Sequence, residues 1–471
     1  MGGAGRQNQL RPHGQHGQPT GTSGAGAPVT RRRLAAGGAA LGAALAGAAC
    51  AAPGGEPAPV APGAVAGKVL FWPSPITDLS RPFWQLIQAG FKGAWPNVEL
   101  TLDDSVLGPG QSRDDKLLGG LASGSAWDVW QRDIPPSYQQ VLVDKNAVLS
   151  MDEAYASMPN LKRVFPWART RSKLSGKTWG VPHGVEFGPI WFNKNVFDRV
   201  GVKEAPKTWD QFLALQRTLK SAGVLPMNIA AARSQPGHYY SVFLMGLIGK
   251  DGLEDLLWRD KRWDGHDGVI RAAQTLVDFE RQGWIPADNR TTAYDVMGDL
   301  VTGKQAMWGS VGGGGSAFEA ARRANPAFDY DFFIPPAQDA KFKPTAAGGL
   351  GNGFSVWAQT KSTAAAIALL DYLMSPEAQK GWIEQLFQVA PVPFKPEDYR
   401  MPDVFRKWLG TVVGGQEMGY NVSVVVPAKF VDVYWDGLAD ILNEKLTPRQ
   451  WSADLQQQWD VAKKEGRVPK P

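Results

Sequence analysis

The chain has 471 residues, with 50 basic and 45 acidic side chains, one cysteine and 19 tryptophans. The first 49 residues hold five of the arginines and no acidic residue, so the remainder is balanced at 45 basic against 45 acidic side chains. A nucleic-acid-binding protein needs an excess of basic groups, and we therefore predict no nucleic-acid partner. A single cysteine also excludes an intramolecular disulfide.

Residues 1–49 have the pattern of an export signal. Thr30 to Leu34 contains three adjacent arginines, and an Ala/Gly/Leu run follows at 35–49. These are a basic n-region, an apolar h-region and small residues before a break. The arginines resemble a twin-arginine address, with an ordinary Sec signal as the alternative. The run is shorter than the roughly 20 apolar residues of a membrane span, which disfavours a permanent transmembrane helix.

Cys50 follows this leader directly, at a position that resembles the acylated cysteine of bacterial lipoproteins. We predict lipidation of Cys50, with plain cleavage near this point as the alternative. Residues 51–67 form a Pro/Ala/Gly tether with one charged residue, which is too poor in apolar side chains to build a core. Residues 50–67 are therefore predicted to link a membrane anchor to the folded body.

The folded body opens with elements that alternate between strand and helix. The predicted elements are a strand at 68–72, a helix at 83–95, a strand at 98–102, a helix at 114–122 and a buried strand at 127–130. Such alternation predicts a parallel α/β sheet, in which ligands bind beyond the carboxyl ends of the strands. Trp72, Trp130 and Asp133 are placed at such ends.

A second set of elements begins near residue 179. Apolar spacing predicts several further helices, one short strand and one extended segment. The helices are expected at 212–221, 268–282, 364–374, 376–386 and 432–443, the strand at 306–308 and the extended segment at 329–334.

Catalytic signatures are scarce. The mature chain has three histidines, His183, His238 and His266, which are widely spaced and do not form a zinc-binding pattern. The glycine run 312–315 is not followed by Lys-Ser/Thr, so it is not a P-loop. We therefore predict no catalytic residue, no metal site and no cofactor.

Tryptophan is the informative residue. A sugar ring has an apolar C–H face that an indole can cover, and hydroxyls that donate to carboxylates or amides. Most tryptophans are nevertheless structural, which we expect for Trp209, Trp258, Trp263 and Trp284. Five others are predicted near strand ends or loops, where a ligand contact competes with a structural role: Trp72, Trp130, Trp308, Trp382 and Trp435.

Several ordered motifs resemble the extracellular solute-binding proteins of sugar ABC importers, the family that includes maltose-binding protein. They are Trp179-Gly-Val-Pro182 with Glu186, Trp191-Phe-Asn-Lys194, Pro206-Lys-Thr-Trp209, Leu300-Val-Thr-Gly-Lys-Gln-Ala-Met307, Tyr372 to Gln379 and Leu438 to Thr447. Each motif is loose, but their order and spacing are specific. The usual Gly-Pro-Trp after the Ala-Met strand is replaced here by Trp308-Gly-Ser-Val, where ligand contact is expected.

The resemblance implies an α/β, two-lobed periplasmic-binding-protein fold (type II-like) with the ligand cleft between the lobes. Lobe 1 is expected to comprise 68–183 plus 332–378, and lobe 2 to comprise 184–331 plus 379–471. Glu186 falls where the family places a hinge carboxylate on the ligand. Asp133 resembles the acceptor in the first lobe, and Trp435 an aromatic platform of the second.

The resulting hypothesis is a monomeric, lipid-anchored, extracytoplasmic protein that captures a sugar or oligosaccharide without catalysis. It would deliver this ligand to ABC transporter permease subunits by hinge closure. The expected ligand-binding residues are Trp72, Trp130, Asp133, Glu186, Trp308 and Trp435. Three alternatives stay open: a secreted carbohydrate-active enzyme that uses Asp133 and Glu186 as a carboxyl pair, a ligand-presenting sensor, and a binding protein for a glycerol phosphate ester or polyamine.

Overall fold

The computed structural model describes residues 62–468, apart from 79, 106, 108–111, 230–233, 287–292, 310–313 and 414–417. These residues belong to one compact unit, Pro59–Pro471. The expected export signal, Cys50 and the tether up to residue 61 lie outside the described residues. Within the described part, none of the helices has the length and apolar character that crossing a membrane requires.

Thirteen strands lie within the described residues. They are β1 (Gly67–Trp72), β2 (Val98–Leu102), β3 (Val129–Asp133), β4 (Lys173–Leu174), β5 (Lys177–Thr178), β6 (Val181–Pro182), β7 (Val185–Gly188), β8 (Ile190–Asn193), β9 (Leu225–Met227), β10 (Gln305–Gly309), β11 (Tyr330–Phe333), β12 (Ala347–Leu350) and β13 (Asn352–Val356).

Helices fill most of the remaining described chain. The first group is α1 (Arg81–Ala94), α2 (Arg113–Ser123), α3 (Pro136–Asp144), α4 (Asp152–Ser157), α5 (Pro166–Arg171), α6 (Lys194–Arg199), α7 (Trp209–Ser221), α8 (Gln235–Trp258) and α9 (Asp267–Arg281). The second is α10 (Ala293–Thr302), α11 (Gly314–Ala324), α12 (Thr363–Leu373), α13 (Pro376–Leu386), α14 (Asp403–Val413), α15 (Val422–Val425), α16 (Ala428–Leu442) and α17 (Pro448–Lys464).

Local sequence explains where several helices begin. In α2 the Ser112 hydroxyl accepts from the backbone N–H of Asp115, whose carboxylate accepts from the backbone N–H of Ser112. Thr447 and Gln450 form the same reciprocal cap at the start of α17. These caps satisfy backbone donors that have no partner inside the helix.

The first sheet has the strand order β2-β1-β3-β13-β6. β1 is parallel to both β2 and β3, whereas β13 is antiparallel to β3 and β6. Its predicted strand at 127–130 lies two residues further on, at Val129–Asp133. The second sheet has the order β11-β8-β10-β9, with β10 parallel only to β9.

Two strands of a separate antiparallel ladder, β7 and β12, connect these sheets. β7 follows β6 of the first sheet and precedes β8 of the second, while β12 lies between β11 of the second and β13 of the first. We call this pair the crossing ladder. The chain therefore passes between the sheets twice at one place, and this fixes where both sheets meet.

Each sheet has its own hydrophobic core. The first core includes Phe71, Trp84, Phe354 and Trp382. The second core is built largely on α8, α9, α16 and α17 and contains the fully buried rings Tyr240, Trp263, Tyr434, Trp451 and Trp459. A third hydrophobic cluster contains Trp191, Trp308, Phe387, Phe405 and Trp408.

Gly437 provides a test of the second core, because α16 and α17 pack together at this residue. An added Cβ would lie 2.1 Å from Trp451 Cδ1, and Trp451 is 0% exposed. We expect Gly437→Ala to destabilise the fold by about 1–3 kcal/mol, although alanine gains about 1 kcal/mol of helix propensity. Urea denaturation measures this change.

The matched control is Gly410→Ala in α14, where an added Cβ meets no atom within 4 Å. This variant should be neutral or stabilised by up to about 1 kcal/mol. Equal stabilisation of both variants would contradict the packing argument.

Candidate functional site

A cavity of about 270 Å³ lies between the loop after β1, the β6–β7 connection and the helices α11, α13 and α14. Its aromatic lining comprises Trp84, Trp191, Trp382, Phe387, Phe405 and Trp408. Its polar lining includes Ser74, Thr77, Ser80, Gln131, His183, Glu186, Ser316, Asn352 and Gln388.

The aromatic lining comes from two different hydrophobic clusters. Trp84 and Trp382 belong to the first core, where their ring centroids are 5.8 Å apart and nearly perpendicular. On the other side, Phe405 stacks on Trp408 at 5.4 Å and meets Phe387 edge to face. The cavity therefore lies between two separately packed groups of rings.

A hydrogen-bonded chain fixes the polar floor of the cavity. Gln131 Oε1 accepts from the Ser74 backbone N–H at 2.8 Å, and Gln131 Nε2 lies 2.6 Å from His183 Nε2. Because the Gln131 oxygen is already an acceptor, its amide nitrogen donates, and His183 Nε2 accepts. His183 is therefore a neutral imidazole with its proton on Nδ1.

The surroundings of His183 agree with this protonation. Its ring stacks on Trp382 at 4.6 Å and lies 5.0 Å from the Phe354 ring. Burial lowers the pKa of His183 to about 4, since a charged imidazole would lose its hydration there. The histidine thus acts as an acceptor for Gln131 and as an aromatic surface.

Glu186 brings a carboxyl group to the crossing ladder. It lies on β7 opposite Gly349 of β12, and a Cβ added to Gly351 would lie 1.7 Å from Glu186 Oε1. The carboxyl therefore occupies space that only glycine leaves free. Asp133 ends β3 and pairs with Asn352, the residue after Gly351.

These two carboxyl groups affect each other. Burial first, and the charge of Asp133 second, raise the pKa of Glu186 to about 8. Burial also raises the pKa of Asp133, against the opposing effect of Arg132. Glu186 as a residue keeps partial exposure because it lines the cavity, but its carboxyl group is largely removed from solvent.

A larger hollow of about 650 Å³ lies beside β11 and α6. The lysines on its described rim are within ion-pair distance of carboxylates: Lys194 of Asp329, Lys203 of Asp198, Lys207 of Glu204 and Lys407 of Asp331. Because these exposed charges already satisfy one another, we place the functional site in the smaller cavity with its buried polar floor.

Trp72 and Trp130 do not line this cavity. Both are buried, at 2% and 0% exposure, in a cluster with Trp127 and Leu117. Trp72 stacks on Trp127 at 4.2 Å, and the Arg113 guanidinium covers the Trp72 ring at 3.9 Å. The pleat of β3 explains the difference, because alternate side chains face opposite sides and Gln131, next to Trp130, reaches the cavity.

Trp308 and Trp435 also lie outside the cavity lining. Trp308 is 4% exposed on β10, opposite Trp191 of β8, and packs edge to face on Phe318. Trp435 on α16 packs against the second core and lies beside Gly237. Of the six residues expected to bind ligand, the structure places Glu186 in the cavity wall and brings Asp133 near it, while the four tryptophans lie elsewhere.

Sequence reasoning missed most of the lining. The sequence does not indicate Trp84, Trp191 or Trp408 as lining residues. For Trp382 it leaves a ligand contact and a structural role open. Trp191 stands inside one of the recognised motifs, which could have identified it. Trp84 and Trp408 are separated by more than 300 positions on two helices, α1 and α14, and only the folded structure shows that both line one cavity.

Chemically, the cavity combines flat apolar rings with carboxyl, amide and hydroxyl groups. Within the described residues, the His, Cys, Asp and Glu side chains form no group of three or more that could hold a metal ion. Rings and hydrogen-bonding groups of this kind are suited to a polyhydroxylated solute, whose C–H faces stack on indoles and whose hydroxyls bond to the polar groups.

Known proteins share sequence and fold with this chain. The chain is 24% identical to the erythritol/L-threitol-binding protein of Mycolicibacterium smegmatis over 222 residues, which cover 43% of each protein. Its fold matches a structure from a study of xylan utilization by Caldanaerobius polysaccharolyticus with a TM-score of 0.71, 20% identity and coverage of 83% of this chain and 100% of that one. A chitin oligosaccharide binding protein matches with a TM-score of 0.71, 18% identity and coverage of 84% and 99%.

These fold matches confirm the expected α/β, two-lobed architecture. The model of a family described as bacterial extracellular solute-binding proteins matches residues 73–380, which is more than half of the chain. The chain therefore belongs to the family of bacterial extracellular solute-binding proteins.

Proposed function

We propose that this protein captures a sugar, oligosaccharide or related polyol outside the cytoplasm and delivers it to an ABC importer. The observation that carries the proposal is the cavity whose aromatic rings come from two hydrophobic clusters and whose polar floor contains Gln131, His183 and Glu186. One similar protein is named for binding erythritol and L-threitol, and another for binding chitin oligosaccharide. Both names agree with a polyhydroxylated ligand.

Ligand capture would work by hinge closure about the crossing ladder. A solute that contacts Trp84 on one side and Trp408 on the other bridges two separately packed groups of rings. Such a ligand favours the closed arrangement because only that arrangement allows both sets of contacts. The permease would then recognise the closed protein.

The lobe boundaries expected from the sequence remain part of this proposal: 68–183 plus 332–378, and 184–331 plus 379–471. The strands β7 and β12 would serve as the hinge between them. We further propose lipidation at Cys50, a tether at 51–67, a monomeric state and a position on the outer face of the cell membrane.

A binding role is preferred to a glycosidase role. Glycoside hydrolysis needs two carboxyl groups that flank the scissile bond. Of Asp133 and Glu186, only Glu186 is among the residues that line the cavity. Asp133, at the end of β3, is outside the described lining and acts on Glu186 through its charge.

The central test is thermal unfolding of residues 62–471 in the presence of a panel of monosaccharides, oligosaccharides and polyols. A ligand that binds only the folded state raises the melting temperature, with a stabilisation of about 2.7 kcal/mol at a hundredfold excess over its Kd. We expect at least one member to do so and titration calorimetry to confirm it. If no carbohydrate or polyol shifts the transition, the proposed function is wrong.

The aromatic wall gives a second test, with Trp408→Leu as the variant. Loss of the indole surface removes apolar contact with the ligand, so affinity should fall at least tenfold, which is about 1.4 kcal/mol. The control is Trp209→Leu, since Trp209 is half-buried and packs on Phe212, Phe243 and Phe279, outside the cavity lining. Equal losses in both variants would indicate a general structural effect.

The buried carboxyl gives a third test, on the ligand-free protein. Because the pKa of Glu186 is raised from 4.5 to about 8, the unfolded chain ionises this group first. Its contribution to stability is therefore fully present below about pH 4.5 and is lost as pH rises toward 8. The melting temperature of Glu186→Gln relative to the unmodified protein should increase from pH 5 to pH 8, with each pKa unit worth about 1.4 kcal/mol.

Above pH 8 the difference between these two proteins should level off. Asp133, Tyr138 and Arg132 lie near the same carboxyl and are present in both proteins, so the comparison isolates Glu186. A difference that does not change with pH would show that this carboxyl titrates normally.

A further inference from the structure

The charge inventory of the cavity restricts the ligand. Of the described residues that line it, none is lysine, arginine or aspartate, and the ionisable side chains are Glu186 and His183. His183 is neutral because its Nε2 accepts from Gln131. Glu186 is therefore the group in this lining that can carry charge, and the charge is negative.

The two arginines that act on Asp133, the neighbour of Glu186, are engaged with other groups. Arg132 makes a two-point ion pair with Asp114, at 2.7 and 2.8 Å, and donates to the Tyr138 carbonyl. Arg113 donates to the carbonyls of Pro73 and Gln131 and lies over the Trp72 ring. Both guanidinium groups thus already have partners.

Arg171, near the crossing ladder, is also engaged. Its guanidinium donates to the carbonyls of Gly348 and Gly419, at 3.4 to 3.5 Å, and packs on the Tyr420 ring at 4.2 Å. Tyr420 in turn donates to Glu254. Among the described residues, Glu186 consequently has no ion-pair partner, although a buried charge needs one.

Two further polar groups of the lining are without a described partner. Trp191 Nε1 and His183 Nδ1 are both buried donors with no hydrogen bond to a described residue, and the two side chains are 1% and 2% exposed. They lie in the same cavity wall as Glu186. The wall therefore combines a carboxyl group with several indole rings, whose faces attract cations.

From this arrangement we propose that the ligand carries a protonated amine, as in an amino sugar or amino polyol, and that its ammonium group pairs with Glu186 while the rings cover its apolar face. This proposal rests on the proposed function and specifies the ligand class of the same cavity. Asp133 lies near Glu186 and acts on it through its charge. An acidic sugar or phosphate ester would give the Glu186 carboxyl no cation to pair with, and its own charge would find no lysine or arginine in the described lining.

The proton balance follows from the protonation of the unliganded site. With a pKa of about 8, the Glu186 carboxyl holds its proton at neutral pH. When the ammonium group binds, the carboxyl proton leaves for solvent and the ammonium nitrogen keeps its own three protons. Binding at pH 7 should therefore release close to one proton, which calorimetry in two buffers of different ionisation enthalpy can count.

The experiment uses titration calorimetry with matched probes. They are glucosamine, galactosamine, mannosamine and the glucosamine disaccharide, each with its uncharged parent or N-acetylated form, and glucuronate and glucose 6-phosphate as anions. We expect at least one amine to bind ten times more tightly than its uncharged counterpart, about 1.4 kcal/mol, with proton release. The anions should bind more weakly than any neutral probe that binds.

Two variants assign the preference to the carboxyl groups. Glu186→Gln should reduce the ratio of amine to neutral affinity to near one and abolish proton release, and Asp133→Asn should reduce the ratio partly. Glu153→Gln is the control, because Glu153 is an exposed residue of α4, and it should keep the full ratio.

The outcomes separate the two proposals. If neutral sugars bind and no amine binds more tightly than its counterpart, the amine proposal is overturned and the proposed function stands. If an anion binds most tightly, the charge argument is wrong. If no sugar or polyol of either kind binds, the proposed function itself fails.

Discussion

The arrangement of both sheets depends on one constraint, the crowding at the crossing ladder. β12 and the residue after it can pass close to β7 and to the side chains of Glu186 and Arg171 because glycines stand at the points of closest approach. An added Cβ at Gly348 would lie 2.8 Å from the Glu186 carbonyl, one at Gly349 would lie 2.7 Å from the Arg171 guanidinium, and one at Gly351 would overlap the Glu186 carboxyl. Gly349 also has a φ of 141°, a backbone angle that residues with a side chain rarely adopt.

The two buried charges of this region have opposite status. Arg171 is satisfied within the protein by two backbone carbonyls and the Tyr420 ring. Glu186 is packed against Gly351 and turned to the cavity, and neighbouring arginines are bonded elsewhere. A charge with partners can remain ionised at the crossing, whereas Glu186, which has no cation beside it, holds its proton at neutral pH. The presence or absence of partners therefore distinguishes Arg171, which has a structural role, from Glu186, to which we assign a functional one. Burial alone distinguishes them less clearly.

Local pattern predicted much of the fold. The strand at 98–102 and the helix at 376–386 have the bounds that apolar spacing indicated, and β1 begins one residue earlier than expected. Such elements are set by short-range periodicity, side-chain caps and proline. The helical segment α8, which is kinked at Gly249, was not predicted, because it is apolar on all sides and buried along most of its length, so it lacks the amphipathic pattern that identifies a surface helix.

The site could be predicted only where a short motif contains the residue. Glu186 stands four residues after Pro182 in a recognised motif, and it lines the cavity. Trp130, which the sequence indicated, stands next to Gln131 on β3, and because side chains alternate along a strand, Gln131 reaches the cavity and Trp130 does not. The tryptophans that line the cavity, Trp84, Trp191, Trp382 and Trp408, come together only through tertiary packing.

The position of Glu186 has a consequence for the proposed closure. Its strand belongs to the crossing ladder, and its carboxyl contacts Gly351 between β12 and β13. A ligand that pairs with Glu186 therefore acts at the place where the chain passes between the sheets. Its contacts with the indole rings depend on whether the two hydrophobic clusters have approached each other.

A ligand shifts a conformational equilibrium only by its difference in affinity for the two states. Contact with Glu186 alone is available in open and closed arrangements, so the closing free energy must come from reaching Trp84 and Trp408 at once. Recognition of charge and selection of the closed state are thus assigned to different parts of one cavity.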